Sequence, residues 1–253
     1  MYSVGAEWNP KQKELSRLLA KADTFYQGVL MCAEMHRSVH DLGKEAAKNV
    51  YQSLLVDMPP ELISYRPETS FSSIAWNIWH ITRIEDAISN IFLADSGQVF
   101  NQEWLKKINA GIADTGNAFT KEDVDEFGKA VNTEELLKYR KAVGMRTQKI
   151  LLTLAETDRK RKPSKDQLHR IMAEKVLTEE KESIRLLDFW GGKTVSGLLT
   201  MPITRHQIVH INDCLKLKEK HRFRFYDRLQ KEKSLVDGRM PNGNRIDAEF
   251  RRH

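Results

Sequence analysis

Apolar residues recur along this chain at intervals of three and four, the spacing that lines one face of a helix. Leu15, Leu18, Leu19 and Ala22 make the first stripe, and Val29, Leu30, Ala33, Val39, Leu42 and Ala46 continue it toward Val50, Leu54 and Leu55. Asn9-Pro10 starts this helix, because Asn caps and Pro suits a first helical position. Pro59-Pro60 stops it, since a proline ring blocks the preceding turn. The expected first helix therefore covers about 9–58, with a break near Gly28. A second is expected from about Ser70, its cap, to Leu93, with Gly97 just past its end. Asn132 with Glu135 three residues on reads as a capping box, opening a third helix that reaches about Ala155. A fourth has Pro202 near its first turn and reaches about Lys220.

Between these lie shorter pieces. Residues 98–131 form an irregular excursion, a candidate lid, with helical segments near Trp104–Ile108 and Lys121–Lys129. Asp166–Lys175 and Thr178–Trp190 read as two smaller helices, and Gly191-Gly192 as a turn. No run alternates in the manner of a strand. The expected fold is all-α, a four-helix bundle with extra short helices in its connections. The bundle is placed at 1–222 with the insertion at 98–131, and a basic tail at 223–253 is expected to be partly packed on it. Phe223, Phe225, Tyr226 and Leu229 are the tail residues able to pack back, while Gly238–His253 reads as loosely ordered.

Composition narrows the function classes. Of 253 residues, 40% are hydrophobic and 30% charged, with only 13 Gly and 7 Pro, which suits helices with solvated faces. The net charge of +6 is modest and concentrated in Arg159-Lys160-Arg161-Lys162 and the tail, so a solvated loop is expected there and nucleic acid is not an expected partner. Cys32 and Cys214 are too few for a disulfide framework. The first ten residues lack the pattern of a signal peptide, and no apolar run approaches the ~18 residues of a membrane span. A cytoplasmic protein with no membrane partner is expected, and a homodimer is compatible with such a bundle.

The candidate chemistry rests on histidines. His206 and His210 lie four apart on the fourth helix, one above the other on one face, where both imidazoles can grip one divalent ion. His80 ends the apolar run Trp76-Asn77-Ile78-Trp79-His80. Alone, a histidine on an apolar face is more often a hydrogen-bonded core residue, and an HxxxH pair is a weak signal. Together the three make a ligand set that leaves coordination positions open, as catalytic sites need. Each imidazole then requires an acceptor for its other nitrogen, for which Asn77 and Asp213 are candidates. Cys214 is a fourth ligand or, more simply, a small buried residue. Trp76, Trp79 and Trp190 are expected to be core bulk.

Three further groups are ambiguous from sequence. Arg83 lies about 60° from His80 around the helix and can reach the cavity or an acidic partner, a candidate catalytic residue. Glu85 lies about 140° from His80 and Asp86 about 120° the other way, so ion pairs with Arg83 or Arg205 are expected for them. His36 and His40 are a second i, i+4 pair that can line the same cavity, form a second metal site, or face solvent beside Arg37 and Asp41; an inward His40 is a candidate base.

Ser73–Asp86, with its W-x-x-W-H-I-x-R-x-E-D block, followed by Arg205–Asp213, resembles the DinB-like superfamily, in its YfiT-like group of metalloenzymes. That group includes bacterial thiol S-transferases. The resemblance covers roughly residues 15–220. It implies a four-helix bundle in which His80, His206 and His210 bind a divalent metal, zinc or nickel foremost. It also implies a transferase that activates a small-molecule thiol against an electrophilic substrate. A metal-dependent hydrolase and a non-catalytic stress-response bundle are the alternatives.

Overall fold

The computed structural model describes residues 3–43 and 49–236. Within them the chain is all-helical, with no strand. A wide first turn (Val4–Trp8) leads into α1 (Asn9–Leu19), followed by α2 (Phe25–Ser38), α3 (Val50–Leu55) and α4 (Pro60–Ser64). Then come α5 (Ile74–Ala87), prolonged by a π-helical turn over Ile88–Leu93, α6 (Gln102–Ile108), α7 (Lys121–Ala130) and α8 (Thr133–Leu151). Next are α9 (Lys165–Ala173), α10 (Lys181–Gly191) and α11 (Val195–Thr200), and a second π-helical turn, Met201–Arg205, feeds α12 (His206–Val236).

Helix α5 is the axis of the molecule. It packs against α8 on one side and α12 on another, while α2 packs on α8. Every residue from Ile74 to Leu93 is buried. Such a helix needs no polar face, so its polar residues must all be satisfied inside the protein. Ser73, not Ser70, caps it: the Ser73 hydroxyl accepts from the Trp76 N–H, while Ser70 is occupied with Ser72.

The expected first long helix is divided. Its chain breaks at 20–24, between α1 and α2, and again after Ser38. Gly28 is not the break but lies inside α2 at the crossing with α1, where a Cβ would come within 2.7 Å of the Leu19 side chain. Pro60 opens α4 as its first residue rather than only closing what precedes it. Ala46 lies outside the described residues. Asn132 caps α8 as expected, its side chain accepting from the Glu135 N–H. At the far end α12 does not stop near Lys220 but continues to Val236. Phe223 and Tyr226 are exposed along it; the side chains of Phe225 and Leu229, and the whole of Gly238–His253, lie outside what is described. No described helix is long and apolar enough to cross a membrane.

Candidate metal centre

His80 projects from the middle of α5, and His206 and His210 from the first two turns of α12 packed against it. The π-helical turn before His206 contains Pro202, and Gln12 of α1 donates to the Thr200 carbonyl at 2.7 Å there, steadying the start of α12. Ring centroids are 5.2 Å apart for His80 and His206, 5.0 Å for His80 and His210, and 4.5 Å for His206 and His210. One ring nitrogen from each lies within 4.8 Å of the others, a spacing that could hold a metal ion. His80 is buried, and the other two are partly exposed.

Hydrogen bonds fix where the protons sit. His80 Nδ1 is 2.9 Å from the Thr115 carbonyl, which can only accept, so Nδ1 carries the hydrogen and Nε2 keeps its lone pair. His210 Nδ1 is 2.7 Å from Asn77 Oδ1. The Asn77 amide orientation is itself settled, because its Nδ2 donates to Ser72 Oγ and to the Ser73 carbonyl. Asn77 is thus the acceptor for His210, while Asp213 pairs with Lys216 at 2.9 Å. His206 Nδ1 is buried with no hydrogen-bond partner among the described residues, so no protein group dictates its proton. Trp76 stacks on His80 at 4.8 Å and 9°, and half-exposed Phe71 meets Trp76 edge-on, giving the group an aromatic wall.

All three imidazoles are held neutral. Burial, then the His210 charge, lowers the His80 pKa to about 3. Burial lowers His210 to about 4, and burial with its two neighbours takes His206 well below the usual histidine range. Their ordinary value is 6.5. In the metal-free protein the unfolded chain therefore binds more protons than the folded one below that value, so stability falls with falling pH down to about pH 3. His40 adds to this trend; Asp86, raised by burial, opposes it. Denaturant midpoints of chelator-treated protein should drop clearly between pH 7 and pH 5, each neutral histidine forfeiting up to about 1.4 kcal/mol per pH unit. Equal midpoints would contradict the depressed values.

His36, His40 and Glu85 form a second cluster whose ligand atoms also lie within 4.8 Å of one another. All three side chains are fully buried, which removes the solvent-facing alternative for the histidines. Glu85 is therefore not paired with Arg83 or Arg205. It reaches across to α2 and the turn that follows it, 2.7 Å from His36 Nε2 and 2.8 Å from His40 Nε2. An all-round buried α5 has no solvent side toward which Glu85 could turn. Gln148 of α8 decides the His36 tautomer. Its Oε1 accepts from Arg37, and its Nε2 donates to the Ala33 carbonyl and to His36 Nδ1. His36 Nδ1 must then be the acceptor, and Nε2 the protonated nitrogen that donates to Glu85. A metal ligand needs the opposite arrangement, so this cluster fits an ion less well than the first. Burial pushes the Glu85 carboxyl up, but the two histidines outweigh it and hold it well below the usual range, ionised. Burial and nearby Arg140 lower His40 to about 3.

Arg83 points at neither group. Its guanidinium donates to Asp86 at 3.3 Å, Gln98, Tyr139 Oη and the Ala113 carbonyl, and lies over the Phe100 ring. Asp86 in turn accepts from Tyr139 and from the Val99 and Phe100 N–H groups. Arg140, which sequence reasoning passed over, joins the clusters: it donates to Gln207 Oε1 beside His206, to Thr82, and to the Val39 carbonyl beside His40. Cys214 is buried among apolar neighbours.

The class of protein is now defined: an all-helical domain in which three imidazoles from two packed helices come together, one buried and two partly exposed. A family model of the DinB superfamily matches residues 45–211. The chain belongs to that superfamily. The matched span contains His80, Glu85, His206 and His210 but not His36 or His40. No curated protein matches the chain.

Proposed function

We propose that the protein is a metal-dependent transferase: His80, His206 and His210 hold one divalent ion, zinc or nickel, at which a small-molecule thiol is activated. The observation that carries this reading is the pair of pinned tautomers, with Thr115 and Asn77 taking the Nδ1 hydrogens so that His80 and His210 keep bare Nε2 lone pairs. A bound divalent cation supplies positive charge that favours a thiolate over a thiol. The three neutral rings leave that charge uncompensated, and Trp76 with Phe71 offers an apolar wall to an organic substrate. Hydrolysis is the second reading, because a divalent ion on three imidazoles can by itself acidify a bound water, although the three-histidine group includes no carboxylate base and His40 is occupied with Glu85. His40 and Arg83 act at one remove, through packing and hydrogen bonds, not on substrate.

The test is a panel of low-molecular-weight thiols incubated with zinc- or nickel-loaded protein and an electrophile such as an epoxide, read by mass spectrometry for the thioether. Thiol-dependent thioether formation, lost in His80→Ala, is expected. Cleavage of an ester without any thiol would favour the hydrolase instead, and a loaded protein inert in both assays would leave a binding bundle.

A further inference from the structure

Trp76, Trp79, His80 and Arg83 stand at i, i+3, i+4 and i+7, so one face of α5 carries all four. Each donates a side-chain hydrogen to a different carbonyl of one short segment. Arg83 Nε donates to Ala113 at 2.9 Å, and Trp79 Nε1 to Asp114 at 2.9 Å. His80 Nδ1 donates to Thr115 at 2.9 Å, and Trp76 Nε1 to Gly116 at 3.3 Å. Four consecutive carbonyls are thus read by one helix face. The segment has its own supports: the Thr115 N–H donates to the Val176 carbonyl, and the Gly116 N–H to Asp114 Oδ1 at 2.7 Å. Gly116 has φ +66°, and a Cβ there would sit 3.0 Å from Trp76 Nε1, so the close approach requires glycine.

We propose that segment 113–116 is a positioning strap for the metal centre: by docking on Trp76, Trp79 and Arg83 it holds the Thr115 carbonyl against His80 and so presents the His80 Nε2 lone pair to the ion. This rests on the metal reading given above. The strap touches no ion; it acts through one hydrogen bond that sets a tautomer and a ring orientation. His80 has no other hydrogen-bond partner for Nδ1, whereas the two tryptophans and Arg83 bind the strap on either side of Thr115. If the docked strap favours metal, metal must favour the docked strap by the same factor. The W-x-x-W-H-x-x-R spacing then records a strap contact, and Trp79 and Arg83 are positioning residues of the centre.

The experiment uses the full chain and zinc. Hydrogen exchange of the unaltered protein, with and without zinc, should show added protection at the Thr115 and Gly116 amides. Zinc affinity, measured by competition with a chromophoric chelator, should fall about tenfold or more in Gly116→Ala and in Trp79→Phe, the range typical for loss of an outer-shell partner. Trp79→Phe keeps a six-membered aromatic ring in this buried position and removes the indole N–H together with the rest of the pyrrole ring. Unchanged affinity in a folded variant, or strap amides indifferent to zinc in a protein that binds it, overturns the inference while leaving the metal reading intact. Unaltered protein that takes up no zinc overturns both. If neither variant folds, the exchange measurement on the unaltered chain decides alone.

Discussion

His206→Ala protein, purified without an affinity tag, is expected to emerge without metal under conditions where the unaltered protein carries about one equivalent. Three imidazoles are few ligands for a divalent ion, and none of the rest of the three-ring group can replace a lost one. The loss in affinity should exceed the ~100-fold that removal of an outer-shell partner can cost. His206 is also the informative choice among the three. Its Nδ1 makes no hydrogen bond among the described residues, and the residue is partly exposed, so truncation removes no described hydrogen bond of that nitrogen. The folded state should survive, and elemental analysis with a denaturant melt of the metal-free protein separates loss of metal from loss of fold. A variant that retains stoichiometric metal would place the ion elsewhere, with His36, His40 and Glu85 the next group to test.

Glu85→Ala is expected to produce the opposite pattern, an unstable protein that still binds metal when folded. Glu85 is fully buried and accepts from two imidazole N–H groups. Its removal strands both donors, and His36 cannot relax by moving its proton, because Gln148 already donates to the other nitrogen. Leaving a buried donor unsatisfied costs about 1–3 kcal/mol for each one. A denaturant titration measures it; a loss under about 1 kcal/mol would mean that the cluster contributes little to holding α2 on α5. Metal stoichiometry near unity in the folded fraction would confirm that the two clusters are distinct. Together the two substitutions ask separately what each histidine group is for.

The periodicity of the apolar positions was enough to establish an all-helical chain. It was also enough to place helices near 104–108, 121–129 and from Asn132 to about Ala155, found at Gln102–Ile108, Lys121–Ala130 and Thr133–Leu151, where the apolar stripe has a solvent side. It failed where the stripe has no solvent side. Around α5 the polar residues His80, Arg83, Glu85 and Asp86 are all inside, so angular distance from His80 could not reveal that Glu85 faces α2. It failed again where breaks arise from tertiary crossings. Gly28 reads as a helix breaker but is a crossing point, and the real interruption at 20–24 carries no proline or glycine. The insertion at 98–131 gave no hint in sequence that its backbone carbonyls serve α5, because a carbonyl is the same in every residue.

The sequence by itself determined that His206 and His210 share one face: the four-residue spacing in α12 forces it, since helix geometry is local. It determined equally that no described helix is long and apolar enough to cross a membrane, a property of local hydropathy. Only the tertiary structure decided that His80 meets that pair while His36 and His40 meet Glu85, because those pairings depend on which helices pack together across scores of residues. It alone decided the protonation patterns as well. A histidine's tautomer is set by the acceptor or donor opposite its other nitrogen, and here those partners, Thr115, Asn77 and Gln148, all lie far along the chain from the rings they control.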